Sequence, residues 1–232
     1  MNPNNLLSKE FIEFVKNKKT MIIKLLLPLI LSIPLMIPGM PLSIKSAIFA
    51  MIIIFISTFG SSVSLIQLKD NKLIERLAVL PTSEYKFIYE YIAANSLIDA
   101  IKHGIPLFLF LIFNMTTFNA LYVFWIILNF IISIIFANSL GVIVALIAKS
   151  SGEGHLFSII MVLVVSVISG IFFVNLPPLL NFLQFLTPFY SLSNSIIDYW
   201  NATLQISIIP LIPFLLMLVL IYFISSRLFR FE

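Results

Sequence analysis

Long apolar runs separated by short polar interruptions organise this chain from end to end. Six stand out: about Thr20–Ile37, Ile44–Gln67, Tyr91–Phe113, Ala120–Ala148, His155–Val174 and Leu204–Ser226. None alternates with period two, and a helix needs roughly 20 residues to cross about 30 Å of hydrocarbon. The bilayer offers a backbone no water, so uninterrupted runs of this kind fold as helices. The pattern predicts an all-α integral membrane protein with six transmembrane helices, forming a single domain over residues 1–232.

The polar segments are patterned too. In NLLSKEFIEFVKNKK, Leu7, Phe11, Phe14 and Val15 share one helical face while Ser8, Lys9, Glu13 and Lys16 lie largely on the other. That predicts an N-terminal interfacial helix over Leu6–Lys18, with a bare basic topology anchor as the plainer alternative. The basic stretch, and the lack of a small-residue cleavage site, argue against a cleaved signal peptide. Between the fifth and sixth runs, Asn175–Thr203 carries no Lys or Arg yet stays apolar and is broken by Pro177, Pro178 and Pro188. It reads as a re-entrant outer segment, tolerated in a membrane only where protein covers its backbone. Tyr190, Tyr199 and Trp200 in it suit the membrane–water interface.

The longest charged interruption is Lys69–Glu90, KDNKLIERLAVLPTSEYKFIYE. Leu73, Leu77 and Leu80 form one helical stripe, and Lys72, Glu75 and Arg76 gather on the opposite face. Pro81 closes that helix, because the residue before a proline avoids the helical region. Thr82-Ser83-Glu84 then supplies an N-cap and an acidic first turn for the next helix. Two short helices around a proline corner follow from this spacing; the stripe and corner argue against a merely solvated loop.

Composition agrees with the membrane class. The chain is 60% apolar and 10% charged, against about 25% charged in a soluble protein. Its net charge is +4, but the basic residues cluster at the ends of the apolar runs, which fits a membrane surface and no nucleic acid. Lys and Arg remain on the cytoplasmic side. With both termini cytoplasmic, Lys9, Lys16, Lys18, Lys19, Lys69, Lys72, Arg76, Lys86, Lys149, Arg227 and Arg230 lie inside and Lys45 alone lies outside. The expected location is the plasma membrane. Gly152 and Gly154 flank Glu153 in an expected tight cytoplasmic turn, Lys149–His155.

Asp99, Lys102 and His103 fall at i, i+3 and i+4 within the third run, so one carboxylate faces two potential cations. Ionisable groups inside a span are costly and suggest function. The most apolar part of the run is Ile105–Phe113, which puts the trio toward the cytoplasmic headgroups and favours a structural polar seam over a proton relay or substrate contact. Asn129, Ser133, Asn138, Ser139, Ser166 and Ser169 read as packing residues before substrate contacts. The sequence has no Cys, no Walker-type phosphate loop and no HExxH, and its two His are isolated. It implies no catalytic centre, no metal site and no cofactor.

In order and sidedness the chain resembles the membrane subunit of type-two ABC exporter permeases along nearly its whole length. Three blocks carry the resemblance: the interfacial helix Leu6–Lys18 with its proline-containing first run, DNKLIERLAVLPTSEYKFI, and SGIFFVNLPPLLNFLQFLTPFYSLSNSII over Ser169–Ile197. The second block is similar to that family's coupling helix, so the resemblance gives Lys72, Leu73, Glu75, Arg76, Leu77 and Pro81 an ATPase-coupling role. Asn71-Lys72 stands where that family commonly carries Gly-Thr, and Asp99–His103 is not a family feature. The resemblance implies a transport subunit that does not hydrolyse ATP itself. It further implies a partner ABC ATPase, a homodimer or a heterodimer with a homologous permease, alternating access, and a hydrophobic or amphipathic substrate. The alternatives are a stand-alone ion-coupled carrier using Asp99, Lys102 and His103, and a non-transporting membrane immunity or assembly protein.

Overall fold

A computed structural model describes residues 16, 18–70, 84–114, 119–171, 183–185, 187–201, 203 and 211–228. Among them are seven α-helices and no strand: α1 (Lys18–Leu31), α2 (Leu42–Asp70), α3 (Glu84–Asn114), α4 (Ala120–Ile147), α5 (Ser151–Ile168), α6 (Pro188–Asn201) and α7 (Leu211–Leu228). A short 3-10 turn, Ile33–Met36, follows α1, and Gly39 at φ +80° lets the chain reverse into α2.

Among the described residues, four helices are long and apolar enough to cross a membrane: Leu42–Asp70, Tyr85–Asn114, Ala120–Ile147 and Ser151–Ile168. The first and sixth expected runs correspond to the shorter apolar stretches Met21–Leu31 and Leu211–Ile224. In the first, helix stops at Leu31, and Ser32 and Pro34 start the 3-10 turn.

α4 is the centre of the bundle and packs against α2, α3, α5, α6 and α7. A side chain closes each of its ends. Asn119 caps the start by accepting from Leu121 N, and Lys69 Nζ donates to Ala145 O at 2.9 Å and Ala148 O at 3.0 Å at the finish. Cations stabilise a helix C-terminus through its unpaired carbonyls and dipole. The contact also puts the ends of α2 and α4 at one end of the bundle, beside the segment 71–83. Tyr85 against Tyr222 brings the start of α3 and the end of α7 to that same end.

α5 departs from the expected fifth run at both ends. It begins at Ser151, so Gly152 and Gly154 lie inside its first turns and the connection from α4 is only Ala148–Ser150. Ser150 Oγ accepts from Glu153 N, and Glu153 Oε2 accepts from Lys149 N. This reciprocal pairing closes the helix start much as a capping box does. At the other end Gly170, at φ +69°, stops the helix. Gly170 N donates to Val167 O and Ile171 N to Ser166 O, the two bonds of a Schellman motif. Helix therefore ends at Ile168, short of Val174.

α6 is a 14-residue helix, about 21 Å long and too short to cross. It buries Phe189, Leu192 and Ile196 against α2 and α4. Pro177 and Pro178 of the expected re-entrant segment, and residues 6–15 and 17 of the expected interfacial helix Leu6–Lys18, lie outside the described residues.

Candidate functional site: a polar layer between two apolar cores

Most of the buried apolar residues among those described fall into two clusters. One, containing Phe49, Ile53, Phe110, Phe130, Leu140 and Phe189, fills the end away from 71–83. The other, containing Leu65, Ile88, Tyr91, Ile92, Val142 and Leu146, fills the end beside it. Between them runs a layer of buried polar side chains: Ser57, Thr58, Ser61 and Ser62 on α2, Asp99 and His103 on α3, Asn138 on α4 and Ser158 on α5.

The helices come close enough for backbone to take part. Thr58 Oγ1 donates to Ala137 O at 3.2 Å, and Ser61 Oγ lies 3.2 Å from Asn138 O. Gly141 permits this approach, since a Cβ there would stand 1.9 Å from Ser61 Oγ and 2.3 Å from Thr58 O. Ser62 and Ser158 join α2 to α5 with 2.6 Å between their hydroxyl oxygens. Small and hydroxyl residues hold membrane helices together in this way because lipid supplies no hydrophobic drive between them.

The charged centre of the layer is Asp99, 4% exposed. Lys102 Nζ meets its Oδ1 at 2.6 Å, and Asn138 Nδ2 donates to its Oδ2 at 3.0 Å. The same Asn138 nitrogen reaches Ile134 O at 3.1 Å. The expected trio thus divides. Lys102 bonds the carboxylate, whereas His103 reaches α2, its Nε2 3.4 Å from Ser57 Oγ. His103 Nδ1 and Asn138 Oδ1 are buried without a hydrogen-bond partner. Buried polar atoms normally find one, so the layer keeps unused capacity for a water or a polar group of a ligand.

α3 extends from Glu84 to Asn114, with Asp99 midway, and the polar residues between Glu84 and Glu90 are helical. Both carboxylate oxygens are engaged: Lys102 pairs with Asp99 within α3, and the Asn138 bond ties Asp99 to α4. Among the described residues no group of three or more His, Asp or Glu stands together to hold a metal ion.

Beside this layer, a cavity of about 400 Å³ opens between α3, α4 and α7, lined by Tyr89, Ile92, Ser96, Ile131, Phe214 and Leu218 among others. Tyr89 bridges its walls by donating to Leu218 O at 2.8 Å. The expected coupling residues Lys72, Leu73, Glu75, Arg76, Leu77 and Pro81 lie outside the described residues. What is described are their anchors, α2 held by Lys69 to the end of α4, and α3 entering the bundle at Glu84.

The family model for ABC-2 family transporter proteins matches residues 3–227. The chain belongs to that family. No curated protein and no solved structure matches it. As an ABC-2 family member with long apolar helices, it is a multi-pass membrane protein and an ABC transporter permease, the transport subunit rather than the ATPase. Membership implies association with an ABC ATPase subunit. Within the ABC-2 chain, the sequence had marked Asp99, Lys102 and His103 but missed Ser57 as the histidine's neighbour and Asn138 as the second hold on Asp99. Ser57, Thr58, Ser61 and Ser62 do share one helical face by spacing, but which residues of other helices they meet is set only by the fold.

Proposed function

We propose that this ABC-2 chain is the membrane permease subunit of an ATP-driven exporter, with both termini cytoplasmic and six membrane crossings in the plasma membrane. The family match over residues 3–227 carries the reading. A separate ATPase docks on the cytoplasmic segment around Lys72–Pro81, with Lys72, Glu75 and Arg76 as its polar face and Leu73 and Leu77 as its apolar stripe. Two copies, or this chain with a homologue, line the path. The segment joins α2 directly to α3, and Lys69 ties the end of α2 to α4; this geometry supports movement of the docking segment being felt by the helices that carry the polar layer. ATP and cargo are then coupled in the thermodynamic sense, each changing the other's binding free energy.

The apolar cavity between α3, α4 and α7 supports a hydrophobic or amphipathic cargo, since pockets lined this way bind apolar bodies and orient them with few polar groups. The test is reconstitution with the candidate ATPase and charge reversal at both Glu75 and Arg76. Loss of co-purification and of ATP-dependent transport is expected. Unchanged assembly would overturn the docking assignment, and proton-driven transport by the chain alone would overturn the ATP-driven reading.

A further inference from the structure

A second buried charge in this bundle pairs with no carboxylate among the described residues. Lys45, in the first turn of α2, is 6% exposed, and its Nζ donates to Asn114 Oδ1 at 2.9 Å. Asn114 spends its own Nδ2 on Phe110 O, which keeps its oxygen turned to the lysine. An ammonium carries three donors, and a neutral amide satisfies one of them and none of the charge. The single ion pair among the described residues is Asp99–Lys102. Asp198, the described carboxylate at this end of the bundle, accepts from Thr203 instead. The helix dipole adds to the imbalance, because the first turn of a helix is itself positive. Burying an uncompensated cation is expensive, so the charge calls for an anion from outside the chain.

The surroundings say what kind. A cleft of about 10 Å³, lined by Leu42, Phe110, Asn114, Tyr199 and Trp200 among others, opens at Asn114, the lysine's hydrogen-bond partner. It is far too small for a phosphate, which would stand at its mouth. Tyr and Trp rings settle at headgroup level in a bilayer. Ile44, Ile112 and Phe113 on the adjoining α2 and α3 surfaces are 48%, 55% and 65% exposed, a flank suited to acyl chains.

We propose that Lys45 and Asn114 form an anion site at this end of the bundle, occupied by the phosphate of an anionic membrane lipid whose chains lie along the exposed flank of α2 and α3. The site rests on the membrane placement of the chain and not on the exporter reading, so it is tested without ATPase or transport.

The full chain carries two Trp, Trp125 and Trp200, and a Trp125→Phe background leaves Trp200, at the cleft, as the reporter. The protein is reconstituted in phosphatidylcholine vesicles doped with brominated phosphatidylglycerol or, in parallel, brominated phosphatidylcholine. Quenching of Trp200 is expected to favour the anionic lipid by about five-fold, the size of one lysine–headgroup attraction. Lys45→Gln removes the preference, and Lys45→Arg retains it. Asn114→Asp, which supplies an internal counter-ion, also removes it and covers the case where Lys45→Gln fails to fold. Equal quenching by the two lipids, or a preference that survives both Lys45→Gln and Asn114→Asp, overturns the proposal. A third arm adds inorganic phosphate to lipid-free detergent micelles. A Lys45-dependent change in Trp200 emission there would make the ligand a free oxyanion and overturn the lipid assignment; no change is the expected result.

Discussion

Asn138 Nδ2 lies 3.0 Å from Asp99 Oδ2, closing across two helices the ion pair that Lys102 makes with the other carboxylate oxygen. Taking away one partner of a buried pair leaves an uncompensated charge, which costs about 3–5 kcal/mol, whereas replacing both by apolar groups of similar size is often neutral. Lys102→Met and Asp99→Leu are each expected to lower thermal stability in detergent sharply. The double variant is expected to recover most of the loss. Additive losses in the double variant would mean that the two groups act independently.

At Gly141 the prediction turns on space. A Cβ there would press on Ser61 Oγ and on the backbone oxygen of Thr58, which cannot move without moving α2. Gly141→Ala is expected to destabilise by about 1–3 kcal/mol, the cost of overpacking. At Gly154 the obstructing atom is Ile66 Cδ1, 1.9 Å away, the free end of a side chain that can change rotamer, so Gly154→Ala should cost less. Gly60 and Gly104 have nothing within 4 Å. Alanine at either should be neutral or stabilising by up to about 1 kcal/mol, through helix propensity alone. Melting curves of the four variants give the ranking, and a Gly141→Ala protein as stable as Gly104→Ala would contradict the close approach.

What the sequence made legible follows from which interactions are local. α4 was expected at Ala120–Ala148 and runs Ala120–Ile147, because its Asn119 cap and its apolar run are both written in the local sequence. α5 was misjudged at both ends. The glycines near Glu153 read as turn formers but serve inside the helix, Gly154 by making room for Ile66, and the terminator was Gly170. The i, i+3, i+4 spacing of Asp99, Lys102 and His103 correctly put Lys102 on the carboxylate. It could not reveal that His103 faces Ser57 on α2, since that contact depends on packing between elements far apart in the chain. The same limit hid Asn138 among the packing residues of α4.

Lys69 bears on how force would enter the bundle. Its ammonium donates to two carbonyls at the end of α4, and it is the penultimate residue of α2, immediately before the segment that leads into α3. Lys69→Met keeps the aliphatic stem and removes both donations. It is expected to cost about 0.3–2 kcal/mol, the range for a cation at a helix C-terminus. Under the coupling reading it should also reduce cargo-stimulated ATP hydrolysis while leaving ATPase binding intact. Unchanged stimulation with normal stability would show that α4 does not receive motion through this clamp.

Ser62 and Ser158 offer a measure of what hydroxyl pairs contribute between these helices. Their oxygens are 2.6 Å apart, and Ser158 Oγ also lies 2.7 Å from Gly154 O on its own helix. The geometry therefore assigns Ser158 the back-bond to its own backbone and Ser62 the donation across the interface. Removing Ser62 leaves Ser158 with its back-bond, so Ser62→Ala should be mild. Removing Ser158 leaves Ser62 free to bond Phe59 O, 3.1 Å away on α2, so Ser158→Ala should be mild as well. A double-mutant cycle on unfolding free energy is expected to give a coupling of about 0.6 kcal/mol and no more than about 1.7, the range for hydrogen bonds between membrane helices. A coupling of zero would mean that the α2–α5 contact is held by packing, such as Gly154 on Ile66 and Phe59 on His155, and the polar layer would then end at α4.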